Sequence, residues 1–460
     1  MSDKQSKRTN QNQRSEFLQI NLSAAGIDVG SQSHYVAVPE DRDDQPVREF
    51  GAFTVDLYHL ADWLESCEVE TVAMESTGVY WIPLFQVLEE RGFDVKLVDP
   101  RRLKSVPGRK TDVVDCQWLR QLHTYGLLAG AFRPPEHIRQ LRSYLRQRSM
   151  LVEYAAQHIQ HMQKALTQMN LKLQHVLSDI TGKTGMDIIR AIIAGERDPH
   201  KLAELRNYRV KASNETIAKA LQGHWQDEHL FELSQAVELY DTYQEKIGEC
   251  DQRIEAHLNT FEDLSDGMDV QRDPKKRTRQ HNAPSFDVQT QMYRMTGVDL
   301  TKIDGIDGYT VLKLISEIGL DMSRWPTAKH FTSWLGLCPG SKITGGKVMS
   351  SRSKASANRA AAALRLSANS LHRSKSALGA YLRRMKARLG SPEAITATAH
   401  KLARLVYAML RYGQNYVDAG QDYYERQYRD RVLRNMARTA KRLGYELVQV
   451  AEPHPQPVPA

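Results

Sequence analysis

Short apolar runs alternate with an amphipathic run near the start of the chain. The run AAGIDVGSQSHYVAV (24–38) predicts a strand with a glycine-assisted kink, and ETVAMES (70–76) and FDVKLVD (93–99) predict two further strands. Between the last two, VYWIPLFQVLEERG (79–92) predicts a helix. A strand, a helix and a strand in this order form a parallel pair, so the region predicts an α/β domain.

The middle of the chain has the apolar periodicity of long paired helices. Apolar residues from Val152 to Val176 recur at alternating steps of three and four, which predicts a heptad seam without a break. A second seam runs from Leu233 to Leu258, with Gln244 and Asp251 as polar interruptions. These two stretches predict a coiled coil, formed within one chain or across a dimer.

A polar stretch and a turn motif follow the helical middle. Residues 263–297 contain few apolar positions and predict a linker or an exposed loop. The run IDGIDGYTVLKLISEIG (303–319) is similar to a helix-hairpin-helix, whose glycine turn brings backbone amides near a phosphate. Asp307 stands where a second glycine is expected, so a purely structural turn is an equal alternative.

Four acidic residues stand at informative places in the predicted elements. Asp28 and Glu75 fall late in predicted strands, and functional groups of α/β sheets gather at the carboxyl ends of strands. Asp112 and Asp115 are three apart where a helix begins, so their side chains share one face. Hard oxygen ligands suit Mg²⁺ or Mn²⁺, and two ions about 4 Å apart promote phosphodiester cleavage. Alternatively, these acids are turn residues and charges that favour helix starts.

Composition restricts the class of protein. The chain has 460 residues, enough for two or three domains, and a mean hydropathy of −0.54 without an apolar run of membrane-spanning length. These values predict a soluble protein. The polar N-terminus, residues 1–21, predicts a disordered tail rather than a secretory signal. The four cysteines lack metal-ligand spacing and predict reduced thiols in the cytoplasm.

The positive charge is concentrated in one segment. Residues 341–420 carry 15 Lys and Arg against two acids, a net +13 in a chain whose total is +8. Such a segment is expected to contact nucleic acid. It includes Thr344 followed by Gly345, Gly346 and Lys347, which place a hydroxyl beside a close backbone approach and a cation. The local sequence alone favours a simple hairpin turn at the two glycines.

Four motifs in this order resemble the DEDD-type insertion-sequence transposases of the IS110 and IS1111 group. They are GIDVG, MESTGVYW, KTDVVD and WLGLCPGSKITGGK, and the resemblance spans residues 22–445. It implies a RuvC-like (RNase H type) N-terminal domain whose Asp28, Glu75, Asp112 and Asp115 bind divalent metal. The group has a serine nucleophile before the glycine of the last motif. This chain has Thr344 there, and Ser341 is a minor candidate for the same role.

The resemblance also implies a reaction and partners. The expected protein is a site-specific DNA recombinase that uses Mg²⁺ or Mn²⁺ and forms a covalent link between Thr344 and DNA. Its partners would be donor DNA, target DNA and a structured noncoding guide RNA, in a dimer of dimers in the bacterial cytoplasm, near the nucleoid. Two alternatives stay open, a RuvC-like junction nuclease that uses water and a nucleic-acid-binding regulator without catalysis.

The predicted fold class is an α/β RuvC-like N-terminal domain, a coiled-coil middle and a mainly α C-terminal transposase domain. The expected segments are a tail at 1–21, a metal-binding domain at 22–132, a coiled-coil region at 133–262, a linker at 263–297, a transposase domain at 298–420, and a basic helix with a disordered end at 421–460.

Overall fold

The structure is a computed structural model that describes residues 18–99, 112–267, 270, 282–353, 356–413 and 417–448. Residues 1–17 of the expected N-terminal tail, residues 449–460 at the other end, residues 268–269 and 271–281 of the polar stretch, and Lys110 and Thr111 of the third motif lie outside these residues. The chain divides into two compact units, Met1–Arg133 and Pro134–Ala460.

The first unit is built on a five-stranded mixed sheet with the order β3-β2-β1-β4-β5. Strands β1, β4 and β5 are parallel to one another, whereas β2 pairs antiparallel with β1 and β3 pairs antiparallel with β2. The strands are β1 (Ala24–Val29), β2 (Ser33–Ala37), β3 (Val47–Gly51), β4 (Thr71–Glu75) and β5 (Asp94–Val98). The helices are α1 (Thr54–Ser66), α2 (Trp81–Glu90) and α3 (Asp112–Thr124).

The two faces of this sheet are covered by different helices. Apolar side chains that alternate along the strands, such as Ile27 and Met74, pack with Leu60 of α1 and Leu88 of α2 in one core. On the opposite face, Ala73 and Val98 pack with Leu119 of α3. The period-two alternation therefore separates the strand positions into an α1/α2 face and an α3 face.

The strand predictions hold for the parallel part and fail at the first motif. Strands β4 and β5 and helix α2 lie where their sequences predict them. The expected single kinked strand at 24–38 is instead a hairpin, because the chain turns after Gly30 and β2 pairs antiparallel with β1. The Gly30 amide donates to the Ser33 carbonyl at 3.0 Å and closes that turn.

The second unit is helical, and its longest elements are an antiparallel pair. Helices α4 (Glu136–Gln168) and α9 (Asp227–Leu258) pack along their length, so that Tyr144 near the start of α4 contacts His257 near the end of α9. The ends distal to that contact are joined by α5 (Leu173–Val176), α6 (Lys183–Ile193), α7 (Pro199–Glu204) and α8 (Asn214–Ala220). The expected unbroken seam to Val176 is therefore wrong, because α4 ends at Gln168.

A buried ionic network joins the helix pair to the segments that follow. The Arg148 guanidinium of α4 pairs with the Asp251 carboxylate of α9, and both residues are at most 3% exposed. Arg148 also donates to the Asn282 carbonyl and the Tyr309 hydroxyl, each at 3.0 Å, while Asp251 accepts the Ser285 amide. The polar interruption in the α9 seam is therefore one half of a fully partnered pair.

The remaining helices form the rest of the second unit. They are α10 (Val288–Thr296), α11 (Gly308–Ile318), α12 (Ala328–Trp334), α13 (Arg359–Ser370), α14 (Ala377–Leu389), α15 (Ser391–Tyr412) and α16 (Gly420–Arg442), with a hairpin of β6 (Lys342–Thr344) and β7 (Lys347–Ser350). Helix α10 lies inside the expected linker. No helix of the described residues is long and apolar enough to cross a membrane.

Candidate active site

The sheet register places the first two acids side by side. Ile27 of β1 pairs with Met74 of β4, so Asp28 and Glu75 occupy the next positions on neighbouring parallel strands. Such strands lie about 4.8 Å apart. Since Ile27 and Met74 point into the α1/α2 core, the alternation directs Asp28 and Glu75 to the α3 face.

Helix α3 carries the other two acids to the same face. Asp112 and Asp115 lie in its first turn, as their spacing predicts. The helix approaches β1 at Gly26, where an added Cβ would lie 2.3 Å from both the Cys116 carbonyl oxygen and the Arg120 amide nitrogen. The absence of a side chain at Gly26 therefore sets the distance between α3 and β1.

The charges of the acids raise the pKa values of two neighbouring neutral groups. Burial, together with the charges of Asp28 and Asp115, raises the pKa of the Cys116 thiol to about 12. On β2, Tyr35 pairs in register with Asp28. The pKa of Tyr35 is raised by its hydrogen bond to Glu49, by burial, and by the charges of Glu49 and Asp112.

The Glu75 side chain has a local partner. The Thr77 hydroxyl donates to Glu75 Oε1 at 2.9 Å, within the loop between β4 and α2. Gly78 follows with a φ of +56°, a left-handed conformation that glycine adopts at low cost. Asp28, Glu75 and Asp115 are half-buried and Asp112 is exposed, so the edge with the carboxylates is open to solvent.

The carboxylate oxygens themselves are not gathered. Within the described ranges, no three His, Cys, Asp or Glu side chains converge closely enough to hold a metal ion. The backbone thus brings four acids to one edge, while their side chains do not form a common ligand sphere. Four carboxylates repel one another in the absence of cations. Their oxygen donors are of the type that Mg²⁺ and Mn²⁺ prefer, so the donor set fits such an ion in its chemistry.

The candidate hydroxyl lies on an exposed hairpin of the second unit. Thr344 is the last residue of β6 and pairs with Lys347 across a turn made by Gly345 and Gly346, with φ values of 55° and 76°. These values are those of a two-residue hairpin turn, as the local sequence predicts. Ser341 immediately precedes β6, and both hydroxyl residues are exposed.

Asp307 has a structural role at the turn before α11. Its carboxylate caps that helix by accepting the Thr310 amide at 2.7 Å. A carboxylate at this position occupies the amide that would otherwise face a phosphate. The cap supports the structural-turn alternative, and phosphate binding at this motif stays a prediction.

Two models of known protein families match the chain. A model of the DEDD domain of IS110 transposases matches residues 25–171, and a model described as transposase of the IS116/IS110/IS902 family matches residues 299–383. The chain belongs to the IS110 family of transposases. It is therefore an enzyme that cuts and rejoins DNA. The first match contains all four acids of this transposase and the second contains Thr344. No curated protein matches the chain.

Three residues of the site have roles that the sequence analysis did not assign. Gly26 permits the approach of α3, Thr77 holds Glu75, and Tyr35 lies opposite Asp28. A signal existed for Gly26, because glycine inside a strand indicates a bulge or a close backbone approach. Thr77 and Tyr35 give no comparable signal, since their roles depend on neighbours that only the fold provides.

Proposed function

We propose that this transposase is a site-specific recombinase whose Asp28, Glu75, Asp112 and Asp115 bind divalent metal in a RuvC-like domain. The observation that carries the proposal is the close seating of α3 on β1 at Gly26, beside the paired strand ends of Asp28 and Glu75. A metal ion bound to these carboxylates would neutralise phosphate charge and polarise the scissile phosphodiester. Rotation of the side chains is needed to bring their oxygens together.

The proposed nucleophile is the Thr344 hydroxyl. Its oxygen attacks the phosphorus and loses its proton to a base, while the bond from phosphorus to the leaving sugar oxygen breaks and that oxygen gains a proton. The resulting phosphoester between Thr344 and DNA keeps the bond energy for rejoining. Exposure of Thr344 at a hairpin end gives DNA free access to the hydroxyl. Lys347 is its cross-strand neighbour and supplies a cation for the phosphate.

We further propose that target choice depends on a structured guide RNA and that the protein acts as a dimer of dimers. The support is the family resemblance for the RNA, together with the basic segment at 341–420. Within this proposal, residues 22–132 form the metal-binding domain, residues 133–262 form a coiled-coil arm, and residues 298–420 form the transposase domain.

The test combines chemistry with metal binding. The purified protein, with any RNA that copurifies, is incubated with donor and target DNA and Mg²⁺ or Mn²⁺. We expect recombination in the wild type, none in Asp112→Ala, and normal recombination in Glu90→Ala, which removes an exposed acid of α2. We also expect the divalent ion to raise the melting temperature of the wild type but not of Asp28→Asn. An equal rise in both proteins would remove Asp28 from the site.

The covalent step separates this proposal from the junction nuclease. Thr344→Ala should abolish a protein–DNA adduct that survives denaturation, and Ser341→Ala should leave it intact. Hydrolytic nicks that persist in Thr344→Ala, with no adduct in the wild type, would establish water as the nucleophile. The same adduct in Thr344→Ala but not in Ser341→Ala would assign the role to Ser341.

A further inference from the structure

Helix α16 carries a stripe of cations beyond the segment that matches the family. Arg431, Arg434, Arg438 and Lys441 recur at steps of three and four, which places them along one side of the helix, and Arg442 borders them. No acid occurs from 431 to 445. The side chains are exposed, and the stripe from Arg431 to Arg442 is about 16 Å long.

Among the described residues, the side-chain ion pair and hydrogen bond that join α16 to α14 lie in the first half of α16. Glu425 forms an ion pair with Arg384 of α14, whose guanidinium also lies 3.4 Å from the Tyr428 ring centroid. Gln421 accepts a hydrogen bond from Arg383 at 2.7 Å. No side chain of α16 is buried. The cations from Arg431 onward are therefore not needed to attach the helix.

Two cations of α15 extend the stripe. The Lys401 ammonium lies 4.4 Å from the ring centroid of Tyr381 and 5.6 Å from that of Tyr424, which precedes Arg431 by two helical turns. Arg404 follows Lys401 by one turn. Burial lowers the pKa of Lys401, and the charges of Arg431 and Arg404 lower it further. Among the described residues, no carboxylate forms an ion pair with any of these three cations.

We propose that Lys401, Arg404 and the α16 stripe bind the phosphate backbone of a nucleic acid. Like charges that are held together without acids favour a polyanion, because its binding relieves their repulsion and releases counterions. A second copy of the same surface would add like charge, so it is not the occupant. The proposal rests on the proposed recombinase function and extends it to a segment outside both family matches.

The test is a salt titration of binding with a charge-matched control. The full protein and the triple variant Arg431→Gln, Arg434→Gln and Arg438→Gln are titrated with a labelled random DNA duplex and with an RNA hairpin, over a series of KCl concentrations. The control variant changes three exposed lysines of the helical arm and its distal end, Lys164→Gln, Lys211→Gln and Lys219→Gln. The substitutions are on exposed side chains, so all melting temperatures should agree.

For the nucleic acid that binds the stripe, the slope of log affinity against log salt should be shallower by about 2 to 3 in the triple arginine variant than in the wild type. The affinity of that variant for the same nucleic acid at about 0.1 M salt should be lower by at least about tenfold. The control should retain the wild-type slope. A change for the duplex alone identifies DNA, and a change for the hairpin alone identifies RNA.

Equal slopes for the stripe variant and the wild type would overturn this inference while leaving the recombinase proposal intact. A wild type that binds neither nucleic acid would overturn both. Asp112→Ala should lose recombination but keep the wild-type slope of log affinity against log salt. That result would support the stripe as a binding surface separate from the catalytic acids.

Discussion

Two carboxylates lie on the sheet face that α3 covers and two lie in the first turn of α3, whereas Thr344 lies beside the turn of a two-stranded hairpin whose residues 341–349 are all exposed. On the sheet, backbone contact at Gly26 fixes how far α3 lies from β1. On the hairpin, position depends on a two-residue turn and one short ladder, and a two-stranded ribbon alone is marginally stable in water. Substitutions should therefore act through packing at the acids and through local chemistry at the hydroxyl.

The largest effect is expected from Gly26→Ala. Its Cβ would overlap two backbone atoms of α3, so the helix must move, at a cost of about 1–3 kcal/mol or more in the free energy of unfolding. Because Asp112 and Asp115 move with the helix, recombination and stabilisation by Mg²⁺ should both be lost.

The matched control is Gly248→Ala in α9, where an added Cβ meets no atom within 4 Å. It should leave recombination unchanged and stabilise the helix by up to about 1 kcal/mol. Thermal unfolding and recombination assays check both variants. Wild-type stability and activity in Gly26→Ala would show that the approach of α3 does not control the site.

An intermediate effect is expected from Thr344→Ser at the exposed hairpin. The variant keeps the hydroxyl and removes a methyl group that crowds an in-line approach to phosphorus. We expect the rate of adduct formation to rise about fivefold, which corresponds to about 1 kcal/mol in the barrier, without a change in melting temperature. Single-turnover measurement of the adduct checks this. A rate as low as that of Thr344→Ala would show that the methyl group positions the hydroxyl.

The smallest effect is a pH dependence of the first unit that is remote from the acids. Burial, together with the charge of Lys96, lowers the pKa of His123 to about 4, and Thr71 Oγ1 lies 2.9 Å from His123 Nε2. The unfolded chain binds a proton below about pH 6.5, whereas the folded ring stays neutral until about pH 4. The free energy of unfolding should therefore fall as the pH drops through this window.

Amide exchange in β4 measures that dependence between pH 7 and pH 4.5, after correction for the intrinsic exchange rate. His123→Gln keeps a hydrogen-bonding group beside Thr71 but does not titrate, so its slope should be shallower. A residual slope is expected from His34, whose pKa is also lowered by burial. Identical slopes in wild type and variant would exclude His123 as the cause.

The sequence predicted those elements whose apolar pattern is strong and local. Helix α2, strands β4 and β5, and a helix that contains Asp112 and Asp115 all agree with their patterns. The sequence pattern predicts one kinked strand where the structure has a hairpin, because a glycine in an apolar run is compatible with either. Strand β3 has no fully buried residue, so its sequence lacks the apolar alternation that identifies a strand.

The candidate site was predictable in its residue types but not in its spacing. The late positions of Asp28 and Glu75 in their strands follow from local sequence, whereas the contact at Gly26 joins residues about ninety positions apart. The apolar pattern also does not predict the end of α4 at Gln168. Leu173 and Val176 continue the heptad spacing but belong to a separate short helix.

The network of Arg148 and Asp251 has a consequence for descent within the family. Loss of either partner would leave the other as an unpaired buried charge, at a cost of about 3–5 kcal/mol. Apolar replacement of both would also remove the partners of the Asn282 carbonyl and the Ser285 amide. Related chains should therefore keep both residues, and lineages with only one of them should be rare.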